Sequence, residues 1–77
     1  MEELLRILQE LHPETDFARE TNLMDGGILV SFDIVMLITR IEETFGVVIP
    51  AKEIKPENLN SAKALYALIE RLIEQDD

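Results

Sequence analysis

Residues 31–46 read Ser-Phe-Asp-Ile-Val-Met-Leu-Ile-Thr-Arg-Ile-Glu-Glu-Thr-Phe-Gly, and their apolar positions recur with the period of a helix. Ile34, Leu37, Ile38, Ile41 and Phe45 fall on one side of such a winding and form the broad stripe of a helix buried against a core. Ser31 opens the segment as an expected N-cap, and Asp33 places its charge in the first turn, where the positive end of the macrodipole favours it. Gly46 is the expected stop, because glycine accepts the left-handed backbone that commonly ends a helix.

Outward from this segment the chain is also helical. In residues 2–12 the apolar positions Leu4, Leu5, Ile7, Leu8 and Leu11 mark one helical face, Glu2 and Glu3 lie in the first turn, and Pro13 ends the element. Residues 13–30 show no strong period, and Asp25-Gly26-Gly27 is a turn signal. So long a segment without a period is commonly held down by its own apolar side chains, here Phe17, Leu23 and Ile28. Val47-Val48-Ile49-Pro50 is too short and isolated for a sheet and reads as an extended link on the core. Residues 51–59, with Pro56, have room for a helical turn or two. Ser61 is an N-cap for a last helix defined by Ala64, Leu65, Leu68, Ile69, Leu72 and Ile73 and ending near Glu74, with Gln75-Asp76-Asp77 expected to fray. The expected class is all-α: helix, long loop, long helix, short helix, helix, sharing one core.

The chain of 77 residues is expected to be a single domain, 1–77, and a monomer. Sixteen acidic residues against seven basic leave a net charge of −9, which repels nucleic acid and anionic lipid and suits docking onto cationic protein surfaces. There is no cysteine, so there is no disulfide, thiol nucleophile or thiolate metal site. No stretch reaches the length of a membrane span, and the acidic opening Met1–Glu14 lacks the basic start of a signal or transit peptide. A cytoplasmic protein without membrane insertion is the expectation.

Side-chain catalysis has little material. The one histidine, His12, is expected to face solvent at the end of the first helix. Without a second histidine or a cysteine there is no transition-metal set, and Asp25, Asp33, Glu42 and Glu43 do not have the spacing of a calcium loop. Gly26-Gly27 is not surrounded by a nucleotide-phosphate pattern. No nucleophile–base pair is visible, so the chain is read as no enzyme. Ser31 stands apart, because a hydroxyl between an exposed loop and a helix N-terminus is accessible, and free amides there favour an attached phosphate. Phe32, Val35, Met36 and Thr39 share a face largely apart from the buried stripe. Two arrangements are open for them: an exposed docking patch rimmed by Asp25, Asp33 and Glu43, or a patch covered by Phe17, Leu23 and Ile28.

The run Gly27-Ile28-Leu29-Val30-Ser31-Phe32-Asp33-Ile34-Val35-Met36-Leu37, followed by Ile41-Glu42-Glu43-Thr44-Phe45-Gly46-Val47-Val48-Ile49-Pro50 and by Leu59-Asn60-Ser61-Ala62, resembles the acyl carrier protein family over essentially the whole chain. The resemblance implies a four-helix bundle with a short third helix. It implies that Ser31 receives 4'-phosphopantetheine from coenzyme A through a phosphopantetheinyl transferase, and that the thiol of this arm carries an acyl or aminoacyl group as a thioester. It further implies that the second helix is the docking surface, with Asp33, Glu42 and Glu43 meeting basic patches on the loading and transfer enzymes. The tether raises the local concentration of cargo at each docked enzyme.

The family usually has Asp immediately before the modified serine, where this chain has Val30, and many fatty-acid carriers have an acidic residue where it has Met36. The Asp25-Gly26-Gly27-Ile28-Leu29 lead and the run from Ser31 to Leu37 look closer to small free-standing carriers, D-alanyl carriers included. Fatty-acid, polyketide, D-alanine and nonribosomal-peptide pathways all remain open. Val30 also keeps a second reading in view, an unmodified carrier-like adaptor that binds partners through Phe32, Val35 and Met36.

Overall fold

The computed structural model describes residues 1–75, and the part of the expected C-terminal fraying that falls on Asp76 and Asp77 lies outside them. The four α-helices are α1 (Glu2–Leu11), α2 (Ser31–Phe45), α3 (Pro56–Leu59) and α4 (Ala62–Gln75), with a 3₁₀ turn at Ala51–Glu53. Among the described residues there is no strand. Helix α1 packs on α2 and α4, and α3 packs on α4. The radius of gyration is 11.4 Å, against about 11.5 Å for a compact chain of this length.

The three longer helices face the core with most of the stripe that their period predicts. Leu4, Ile7 and Leu8 are buried from α1, Ile34, Leu37 and Ile41 from α2, and Leu65, Leu68 and Ile69 from α4. Ile38, Phe45 and Leu72 lie at the margin, and Ile73, expected on the buried face of α4, is exposed. Gly46 ends α2 with φ 72°, and its amide donates to the Glu42 carbonyl at 3.0 Å. Val47 and Ile49 then point inward while Val48 points out, so the link to the 3₁₀ turn packs on the core by alternation, as an extended segment does. Pro56 stands at the first position of α3, where its missing amide hydrogen costs nothing. Ser61 caps α4, its hydroxyl accepting the Ala64 amide at 3.1 Å.

Residues 12–30 form a chain of turns. Phe17 and Leu23 are fully buried and hold this loop to the bundle. The third anchor is Leu29, 2% exposed, rather than Ile28, which is half-buried. The amide of Leu29 donates to the Leu23 carbonyl at 2.8 Å, which turns the chain so that residue 29 points inward just before α2 begins. Gly26 sits where a Cβ would come within 2.5 Å of the Asn22 carbonyl oxygen, so the turn requires glycine at that point.

Candidate functional site at the start of the second helix

The serine is placed by the residue before it. Val30 has the extended backbone of an N-cap (φ −99°, ψ 174°) and Ser31 is already the first helical residue, one position later than the cap expected of it. A helix cap needs the extended conformation, and that conformation falls on Val30, whose side chain has no acceptor. The Ser31 hydroxyl is therefore exposed and not spent on capping. In its place Asp33, three residues on, reaches back: its Oδ2 accepts the Val30 amide at 3.2 Å. This is half of a capping box, with the amides of the first turn left without a side-chain acceptor from Val30.

Asp33 has a second donor. His12, one residue past the end of α1, reaches Asp33 Oδ2 with its Nε2 at 2.9 Å, while its Nδ1 lies 3.9 Å from Glu14 Oε1. The His12 side chain is only 22% exposed, so the expectation of a solvent-facing residue is corrected. A polar side chain at a helix end seeks an acceptor, and packing α1 against α2 supplies one. The hydrogen bond from His12 is the main cause that holds the Asp33 carboxyl below its ordinary value; burial opposes it, and the Val30 amide and the charge of His12 add to it. Asp33 thus faces two internal donors and is 16% exposed.

The other residues of the second helix divide cleanly. Phe32 is 72% exposed and Val35 63%, with Val30 and Met36 also open, so of the two arrangements the exposed patch is the one present. Phe17 and Leu23 cannot cover it because they are spent in the core, and Ile28 lies against the core's edge. Thr39 is exposed, its hydroxyl donating to the Val35 carbonyl at 3.0 Å. Glu42 and Glu43 are exposed in the last turn and form no ion pair among the described residues. At about 1.5 Å per residue they lie roughly 16 Å from Ser31 along the axis. The outward face of α2 therefore runs from serine and apolar side chains at one end to free carboxylates at the other.

Asn60 is a further part of the site that no linear pattern singles out. Its Oδ1 accepts the amides of Met24 and Asp25, both at 2.9 Å, its Nδ2 donates to Asp25 Oδ2 at 3.0 Å, and its carbonyl accepts the Leu23 amide at 2.9 Å. One residue at the α3–α4 junction thus clamps the turn that leads to Ser31. Asp25, expected at the rim of the patch, is exposed but held by this clamp. No polar or charged residue is buried among the described residues, and no helix is long and apolar enough to cross a membrane.

No family model matches the chain. Among curated proteins it is similar to aminoacyl carrier protein 2 of Bradyrhizobium diazoefficiens, with 36% identity over 63 residues, 82% of this chain and 70% of that protein. Four helices in this order, an exposed serine at the start of the second, and a carrier relative matched over most of both chains lead to one assignment. The chain belongs to the acyl carrier protein family, and its role is that of a carrier.

Proposed function

We propose that the protein carries an acyl or aminoacyl group as a thioester on 4'-phosphopantetheine attached to Ser31, as a single cytoplasmic carrier domain acting as a monomer. The observation that carries this reading is the Ser31 hydroxyl, exposed at the first helical position and free of any capping duty. The site fits the group: amides of the first turn lack a side-chain acceptor from Val30, and a phosphodiester on Ser31 would sit at the positive end of a helix fifteen residues long. When bound, the arm supplies the thiol that this cysteine-free chain lacks. The chain's own residues present the serine and recognise partners, and bond-making belongs to the enzymes that dock.

Attachment requires a phosphopantetheinyl transferase. The Ser31 Oγ–phosphorus bond forms, the pyrophosphate bond of coenzyme A breaks to release 3',5'-ADP, and the hydroxyl proton passes to a base of the transferase. We assign docking to the outward face of α2, comprising Phe32, Val35, Met36 and Thr39 near the serine and Glu42 and Glu43 beyond them. Asp33 takes part through the backbone it holds more than as a free charge. Loading and transfer enzymes of matching shape would offer an apolar seat beside the arm and cationic groups roughly 16 Å away. Nucleic acid is not among the partners of so acidic a surface.

The test is the intact mass after incubation with coenzyme A, magnesium and a broad-specificity transferase. A gain of one phosphopantetheine, absent in Ser31→Ala, is the expected outcome. The second reading, an unmodified adaptor, is favoured by one observation: Val30, 53% exposed, extends the apolar patch where the family usually has Asp. If the native chain takes up nothing and Val30→Asp takes up nothing either, the adaptor reading replaces the carrier one. If Val30→Asp alone is modified, Val30 is the feature that demands a dedicated transferase.

A further inference from the structure

We propose that His12 is a positioning residue for the modification of Ser31: by clamping the Asp33 carboxylate against the Val30 amide it fixes the turn on which the serine is presented. The inference rests on the reading of Ser31 as an attachment site.

Three observations carry it. The first turn of α2 cannot cap itself in the ordinary way, because Val30 stands at the capping position without an acceptor and Asp33 must reach back instead. Packing holds the chain at Leu29 and again at Ile34 but not between them, since Val30, Ser31 and Phe32 are all exposed. The contact with α1 is polar and converges on one atom: Oδ2 of Asp33 takes the Val30 amide at 3.2 Å from its own chain segment and His12 Nε2 at 2.9 Å from across the bundle. A carboxylate with a single backbone donor could swing about its side-chain torsions; two donors on one oxygen define its direction. Glu14, 3.9 Å from the other ring nitrogen and largely exposed, is too far to hydrogen-bond the imidazole. The chain of hydrogen bonds His12–Asp33–Val30 ends one peptide from the nucleophilic hydroxyl. Misorientation of a reacting group by a fraction of an ångström lowers the rate of transfer without altering the surface that docks.

The experiment follows phosphopantetheine attachment to the full chain by intact mass, at varied carrier concentration, for the native protein, His12→Ala and His12→Gln. Hydrogen exchange at the Val30 amide is measured on the same three. The expected result for His12→Ala is a fall of about ten-fold in kcat with little change in KM, loss of protection at Val30, and substantial recovery of both in His12→Gln, which keeps an N–H donor. A purely structural role would lower the melting temperature and leave attachment by the folded fraction unchanged. Native kcat in His12→Ala, or unchanged Val30 protection, overturns the proposal, as does a change confined to KM, which would place His12 in the docking surface. If the native chain accepts no arm while His12→Ala still exposes the Val30 amide, the attachment reading has failed and the clamp is a structural feature only; that pattern also overturns the positioning role, and is distinct from the three before it.

Discussion

At the scale of single residues, the behaviour of Asp33 and Asn60 follows from the donors they face. The Asp33 carboxyl lies below its ordinary value of 3.8 because His12 and the Val30 amide favour the charged form. A carboxyl depressed in the folded state binds fewer protons there than in the unfolded chain, so its contribution to stability is present above 3.8 and is lost as pH falls through the folded value. Urea denaturation midpoints measured as pH is lowered from neutrality past that value should therefore fall more steeply in the native protein than in Asp33→Asn; parallel curves would show that the pair adds nothing. Asn60→Ala removes one acceptor shared by two amides and one donor to Asp25. About 1–3 kcal/mol of destabilisation is expected, with loss of exchange protection at Met24 and Asp25 and none at Leu37 or Ile41. Protection lost uniformly would mean that the clamp belongs to the global core instead of the loop.

At the scale of the element, α2 performs two tasks on its two faces. Ile34, Leu37 and Ile41 hold it to the bundle, and Phe32, Val35 and Met36 do not touch the core's interior. Replacing Phe32 or Met36 by Ser should shift stability by no more than about 0.5 kcal/mol, as for surface positions in general. Loading by the cognate enzyme should fall nonetheless. Unchanged loading in both variants would remove these residues from the docking surface. Leu37→Ala, at the residue after Met36 but fully buried, is the contrasting case: about 2–5 kcal/mol is expected from the cavity left behind, enough to endanger a domain of this size.

At the scale of the whole molecule, charge opposes the compact state. The excess of sixteen acidic over seven basic residues leaves self-repulsion that the described ion pairs do not cancel. Among them, Arg40 with Glu10 and Lys55 with Glu57 lie at the surface and are individually weak. The melting temperature should rise from low salt to about 0.15 M salt as the Debye length shortens to about 8 Å, and millimolar magnesium should raise it further. A melting temperature indifferent to both would show that the acidic surface costs the fold nothing and serves docking or solubility alone.

Much of this architecture is local in origin and for that reason open to a linear reading. The periods of α1, α2 and α4, the Gly46 stop, the Ser61 cap and the turn at Pro56 each act within about one turn of chain, so propensity and capping determine them before any packing. The resemblance to a carrier family was likewise carried by contiguous runs around Ser31 and Phe45. Where local preference was nearly balanced, it was less decisive. Both Ile28 and Leu29 are apolar, and only the Leu23–Leu29 hydrogen bond decides which points inward. Ser31 and Val30 differ by one position at the cap, and the backbone leaving that turn gave the place to Val30. The roles of His12 and Asn60 lay beyond any such reading, since their partners stand 21 and 35 or 36 residues away. A hydrogen bond over that distance exists only after the apolar faces have brought α1 to α2 and the α3–α4 junction to the loop. The exposure of Phe32 has the same origin, because whether a loop covers it depends on where Phe17 and Leu23 find their burial.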